Sequence, residues 1–259
     1  MNNNTLLIHV GMAKTGTTAL QSFLVNNRCK LEKYGWCYPI LNDGKHGYWE
    51  QWEAERLGNG YKIYDAWIIN GIRSEWDRGW EIILKHLNNK NVIVSAEDIY
   101  KCGTDKFLTD AKEKYGNIKV IVYLRRQDRV TESRYNQRVK GSIEYKTFEE
   151  FISSDVVAED FLKYALKLDS ISQIIGRENL IVRIYEKQQL IGNNTVTDFL
   201  SVIGIPSDQD EWERGQVNNF SLDGNYLEIN RLLNSVINVN TLMGGGKMRM
   251  VYGLGQTGR

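Results

Sequence analysis

Residues Leu6 to Leu24 read LLIHVGMAKTGTTALQSFL, and this stretch sets the fold class. A short apolar run (Leu6, Leu7, Ile8, Val10) leads into Gly11-Met12-Ala13-Lys14-Thr15-Gly16-Thr17-Thr18, and an amphipathic segment follows at once. That order predicts a buried strand, a tight glycine-containing turn and the N-terminus of a helix. The start of a helix carries unpaired backbone N–H groups and the positive end of the macrodipole, so it favours an anion. Lys14 adds a point charge, while Thr15, Thr17 and Thr18 add hydroxyl donors. Together they predict a phosphate cradle; the alternative is an ordinary glycine-rich strand–helix turn.

Spacing narrows the choice of anion. A nucleotide-triphosphatase loop needs four residues between its first glycine and a Gly-Lys-Ser/Thr triplet. Here Lys14 comes three residues after Gly11 and precedes Gly16, and the Ser/Thr that would hold magnesium directly after Gly-Lys is missing.

Outward from this loop, Val92–Ser95, Val120–Leu124 and Leu180–Ile184 repeat the pattern of Leu6–Val10: short, rich in Val, Ile and Leu, and bounded by helical periodicity. They are expected as buried parallel strands in βαβ units. Helices are expected at Thr18–Asn26, Trp76–Leu87, Asp105–Lys114, Arg129–Lys140, Ala158–Ile175, Asn194–Ile203 and Leu222–Val239, with Gly176 and Gly204 at C-caps. The expected fold is therefore α/β, a single domain over residues 1–259 with a central parallel sheet flanked by helices.

The insert from Lys30 to Lys90 holds six of the seven tryptophans (Trp36, Trp49, Trp52, Trp67, Trp76, Trp80). Such a segment over the C-terminal edge of a parallel sheet suits an acceptor pocket, since Trp and Tyr stack on sugar faces; filling a small subcore is the other use. Residues 243–259 carry Gly244-Gly245-Gly246 without apolar periodicity and read as a mobile tail.

Lys+Arg of 33 against Asp+Glu of 32 leaves no net field, which argues against a general nucleic-acid or membrane-surface binder. Cys29, Cys37 and Cys102 are odd in number and lack a C-x-x-C, so neither a disulfide framework nor a zinc site is indicated, and each reads as a reduced, partly buried thiol. No leader pattern and no run of 18 apolar residues occur, and a cytoplasmic setting is expected.

After Val120–Leu124 comes Arg125-Arg126-Gln127-Asp128-Arg129, with Ser133 eight positions beyond Arg125. Arginine offers a bidentate fork to phosphate and serine a neutral donor. Taken alone, a basic helix start is also compatible with a solvated face.

Lys14-Thr15-Gly16-Thr17-Thr18 at the end of a first strand resembles the 5′-phosphosulfate loop of the sulfotransferase family, and Arg125 with Ser133 resembles that family's 3′-phosphate pair. Asn179 to Glu186 and Phe199 to Ile205 resemble its strand-Tyr-Glu and helix-Gly-apolar segments, so the similarity spans roughly Leu6 to Asn234. It implies a P-loop nucleotide-triphosphatase-like fold and 3′-phosphoadenosine 5′-phosphosulfate as co-substrate, without a metal. It also implies transfer to an acceptor hydroxyl, in feel closest to bacterial carbohydrate sulfotransferases. Lys14, Thr15, Gly16, Thr17, Thr18, Arg125 and Ser133 would hold the nucleotide, with Tyr185 either near the adenine or in the core. Two departures stand out. Arg126-Gln127 replaces the usual Asn-Pro, and Lys247 and Arg249 sit in a C-terminal order unlike the family's basic closing loop.

Sulfuryl transfer needs a stabilised leaving phosphate, a deprotonated acceptor and in-line placement. Lys14 suits the first. For the base, Glu97 follows Val92–Ser95 where cytosolic sulfotransferases place a histidine, although an acidic residue there could equally cap the next helix. His46, in Asp43-Gly44-Lys45-His46-Gly47, is the other candidate, by its near-neutral titration. Two other readings stay open: a small-molecule or nucleotide kinase with an atypical loop, and a non-catalytic nucleotide-binding protein.

Overall fold

The computed structural model describes residues 4–41, 56–153, 160–207, 212–213 and 224–236. Among them five strands form one sheet: β1 (Leu6–His9), β2 (Trp36–Cys37), β3 (Asn91–Ser95), β4 (Ile118–Leu124) and β5 (Leu180–Ile184). Their spatial order is β2-β3-β1-β4-β5 and every pairing is parallel. β1 lies in the middle, with Leu6 opposite Val92 of β3 on one side and Ile118 of β4 on the other. Four consecutive residues of β1 are therefore buried, which is why it reads as a continuous apolar run with one histidine in it.

The chain leaves β1 toward β2 and β3 on one side of the sheet, whereas β4 leads to β5 on the other. In an open parallel sheet such a reversal opens a crevice at the carboxyl ends of the strands. Helices Thr17–Asn26 and Thr195–Val202 pack against the sheet in one core built on Leu7, Leu20, Phe23, Ile121, Tyr123 and Phe199.

Two compact units divide the chain: Met1–Arg125 with Phe161–Val217, which holds the sheet, and Arg126–Asp160 with Asn218–Arg259. In the second, helices Gln127–Lys140 and Gly224–Val236 are joined by Asn234, whose Nδ2 donates to the carbonyls of Val139 (2.9 Å) and Glu144 (2.8 Å). Tyr135 packs at a tilt against Phe148 and Phe151, and Thr147 and Glu150 form a reciprocal capping box.

Several expectations are corrected in detail. β2 is only two residues long, too short to leave a pattern, and was not anticipated. The helix expected from Ala158 begins at Tyr164, after a 3₁₀ turn at Asp160–Leu162. β5 is an edge strand and not a buried one: Val182 and Ile184 are 38% and 42% exposed, because an edge has a neighbour on one side only. Trp76 and Trp80 are fully buried, with Phe107 packed edge-on to Trp76 at 5.0 Å, so these two fill a subcore and offer no face to a sugar. Trp49 and Trp52 lie outside the described residues. Cys29 and Cys102 are exposed; Cys37 is buried, and burial pushes its thiol up to about 11.

Candidate active site

The loop after β1 continues the path of the strand before it turns. Met12 N–H donates to Tyr123 O at 3.3 Å, and Tyr123 N–H to Gly11 O at 3.0 Å. Gly11 has φ +103°, and a Cβ there would lie 2.8 Å from the carbonyl oxygen of Glu97. Only glycine lets the loop pass this close to the end of β3. Thr15 is buried and its hydroxyl donates to Met12 O at 2.6 Å, which folds the turn back on itself. Lys14, on the outside of that turn, is held at φ +70°, a left-handed conformation that costs an L-residue of its type free energy.

Helix Thr17–Asn26 starts at Gly16 (φ +77°) with no side-chain cap and no acidic residue in its first turn. Helix Thr195–Val202 has both, an Asn194 cap and Asp198 in the first turn. The contrast matters because the first turn of a helix carries N–H groups that seek an acceptor. At Gly16 the side chains leave this positive end uncapped.

Around this helix start the sheet delivers three more side chains. Glu97, two residues past β3, accepts a hydrogen bond from Thr17 Oγ1 at its Oε2, at 2.5 Å. Arg125, directly after β4, donates from Nη1 to the carbonyl of Lys14 at 3.1 Å. Tyr185, directly after β5, sits with its ring 5.7 Å from the Arg125 guanidinium carbon, and its Cε2 would be 3.2 Å from a Cβ on Gly16. Lys14, Thr15, Gly16, Thr17, Thr18, Glu97, Arg125 and Tyr185 thus share one end of the sheet, as strand order and parallel register require.

The electrostatics follow from partial burial. Desolvation holds the Glu97 carboxyl above the ordinary carboxylate range, opposed by the Thr17 hydrogen bond, with Asp98 raising it further and Lys14 and Lys101 lowering it. Burial likewise pulls Lys14 below the usual lysine range; Glu97 opposes the shift and Arg125 adds to it. A half-buried lysine and a carboxyl of raised proton affinity therefore meet at an uncapped helix start. Such a set can bind a polyanion and accept a proton beside it.

The capping role open to Glu97 does not occur: it precedes helix Asp98–Lys101 without a side-chain cap. Ser133 lies half-buried on helix Gln127–Lys140, in the second unit, whereas Arg125 ends a segment of the first. Arg126 and Arg129 form exposed ion pairs with Asp128 and Glu132. His46, Lys247 and Arg249 lie outside the described residues.

Sequence reasoning missed three contributors. Thr195 Oγ1 stands where a Cβ on Gly16 would come within 2.7 Å of it. Tyr164 donates its hydroxyl to Arg125 O at 2.6 Å, which fixes the residue after β4. Gln21 donates to Ser95 Oγ at 3.0 Å, tying the helix to β3. Only Gln21 left a signal, four residues after Thr17 on the same helix face.

No family model matches the chain. A 117-residue stretch is 33% identical to a protein of Archaeoglobus fulgidus known only as uncharacterized, over 44% of this chain and 30% of that protein. The chain's match thus spans under a third of the length of that relative. Among solved structures it is similar to a sulfotransferase from Alicyclobacillus acidocaldarius, at 14% identity and TM-score 0.48, over 92% of this chain and 98% of that one. It is also similar to the sulfotransferase domain of the Synechococcus PCC 7002 olefin synthase, at 13% identity and TM-score 0.45, over 98% and 95% of the two chains. A third is the sulfotransferase domain from the curacin biosynthetic pathway, at 12% identity and TM-score 0.41, over 97% and 98%. No described helix is long and apolar enough to cross a membrane.

Proposed function

We propose that this protein is a sulfotransferase that moves the sulfuryl group of 3′-phosphoadenosine 5′-phosphosulfate to a hydroxyl of an acceptor, a carbohydrate being the class we favour. The observation that carries the reading is the 2.5 Å hydrogen bond from Thr17 to Glu97. It sets a carboxyl of raised proton affinity directly against an anion cradle with a lysine in it. A base must stand within hydrogen-bond reach of the group that attacks, and the attack occurs beside the donor's phosphosulfate.

The residues present fit that donor. The uncapped start of helix Thr17–Asn26, with Lys14 and Thr18, suits the 5′ end. Arg125 uses one N–H on Lys14 O and carries four more in its fork for a second phosphate. Tyr185 is the proposed contact for the base of the nucleotide. When bound, the donor supplies the activated sulfuryl group. Lys14 neutralises charge at the 5′-phosphate side, and Glu97 takes the acceptor's proton.

The test is a transfer assay with sulfur-labelled donor against a panel of glycans, lipid-linked sugars and phenols, with and without EDTA. Labelled product that survives EDTA is expected. No labelled product, together with EDTA-sensitive phosphoryl transfer from ATP, would favour the kinase reading, and binding of adenosine 3′,5′-bisphosphate without turnover on any acceptor would favour a non-catalytic binding protein.

A further inference from the structure

Two hydrogen bonds fasten helix Thr17–Asn26 to the end of β3. Thr17 Oγ1 donates to Glu97 Oε2 at 2.5 Å, and Gln21 Nε2 donates to Ser95 Oγ at 3.0 Å. Gln21 stands four residues, about 6 Å, along the helix from Thr17, and Glu97 stands two residues beyond Ser95, the last residue of β3. The two contacts are therefore rungs one helical turn apart. The inner rung belongs to the core, where Ser95 Oγ also meets His9 Nδ1 at 2.8 Å and Ser95 N–H donates to Asn59 Oδ1 at 2.8 Å. Gln21, Ser95 and His9 are all fully buried. The outer rung joins Thr17, itself buried, to a half-buried Glu97 at the start of the helix.

The two rungs differ in what can break them. A threonine hydroxyl carries one proton and can donate to one acceptor at a time. Thr17 gives that proton to a carboxylate although it stands in the first turn of an uncapped helix, beside Lys14, where an anion is favoured. A phosphate oxygen on the same helix start competes for the proton, and its charge repels Glu97. The inner rung, sealed from solvent, keeps the helix in place while the outer one changes partner.

We propose that Thr17 is a positioning residue whose hydroxyl turns from Glu97 to the 5′-phosphate of the bound donor, so that Glu97 is released to an acceptor hydroxyl only after the donor is seated. This rests on the sulfuryl-transfer reading and deepens it into an order of events, donor before acceptor. The charged groups that face Glu97 are Lys14 from the loop after β1 and Asp98 and Lys101 from its own helix, with Thr17 the neutral donor. Loss of the Thr17 bond removes an influence that stabilises the carboxylate, while burial and Asp98 remain. Release and strengthening of the base then happen in one event.

The test follows the Glu97 carboxyl by carbon-13 NMR in glutamate-labelled full-length protein, with the signal assigned by its loss in Glu97→Gln. Titrations are run with and without adenosine 3′,5′-bisphosphate. In wild type the midpoint is expected to rise when the bisphosphate binds. In Thr17→Val it should already be raised without ligand, and the further rise on binding should shrink; Thr17→Ser should restore wild-type behaviour. Thr17→Ala repeats the measurement should the valine variant not fold. A purely structural threonine would change the melting temperature and leave these midpoints alone. Equal ligand-free midpoints and equal rises on binding in wild type and Thr17→Val, in proteins that both bind the bisphosphate, overturn the handover and spare the sulfuryl-transfer reading. No binding of bisphosphate to wild type overturns both.

Discussion

Arg125 donates to the carbonyl of Lys14 at 3.1 Å, so the residue that ends β4 is fastened to the loop that ends β1. Arg125 is itself held from behind by Tyr164, whose hydroxyl donates to its carbonyl at 2.6 Å. The two cations proposed to grip the two ends of one nucleotide are thereby set at a fixed spacing before any ligand arrives.

Arg125→Ala is expected to weaken adenosine 3′,5′-bisphosphate by about 1.5–3 kcal/mol, the range for a charge-assisted hydrogen bond. Adenosine 5′-phosphosulfate, which lacks the 3′-phosphate, should lose much less, namely the part that comes from loosening the Lys14 loop. Calorimetry with both ligands separates the terms. Equal losses would mean that Arg125 acts through Lys14 alone.

Lys14 combines a proposed catalytic role with backbone strain, and the two can be pulled apart. Its φ of +70° costs a non-glycine residue about 1–2 kcal/mol. Lys14→Gly should therefore melt at or above the wild-type temperature while transfer is lost, and Lys14→Ala should be equally inactive at near wild-type stability. A large drop in melting temperature for Lys14→Gly would instead make the side chain structural.

Glu97→Gln should lower turnover by roughly 10²–10⁴-fold, the usual range for a general base, with little change in bisphosphate affinity. Glutamine keeps an oxygen able to accept from Thr17, so the outer rung survives. His46→Asn is the comparison: a dead histidine variant beside a fully active Glu97→Gln would transfer the role of base to His46.

His9 gives a pH prediction that is independent of function. Burial pushes its imidazole down to about 4, from an ordinary 6.5. Between those values the unfolded chain binds the proton and the folded chain does not, so stability is complete above the unfolded value and is lost as pH falls toward the folded one. The slope is of order 1.4 kcal/mol per pH unit within that window. Urea unfolding of wild type and His9→Gln from pH 7 to 4 should show a shallower decline in the variant, and parallel declines would refute the assignment.

The sequence determined the class of fold and the location of the glycine-containing turn proposed to hold the anion. β1 and the Gly11–Thr18 loop were legible because a buried parallel strand is a continuous apolar run and a turn of positive φ selects glycine, both local properties. The later strands β3, β4 and β5 were legible for the same reason, though not that β5 is an edge, since a local run does not record how many neighbours it will have. Which residues meet is a different matter. Thr17 and Glu97 are separated by 80 positions, and their contact exists because β1 and β3 pair in parallel with His9 opposite Ser95. That register alone decided that the acidic residue after β3 would meet Thr17 and leave its own helix without a side-chain cap. Tertiary packing decided the tryptophans too: Trp76 and Trp80 carry the same side chain as any sugar-stacking residue, and only their burial, with Trp76 packed against both Trp80 and Phe107, assigns them to the core.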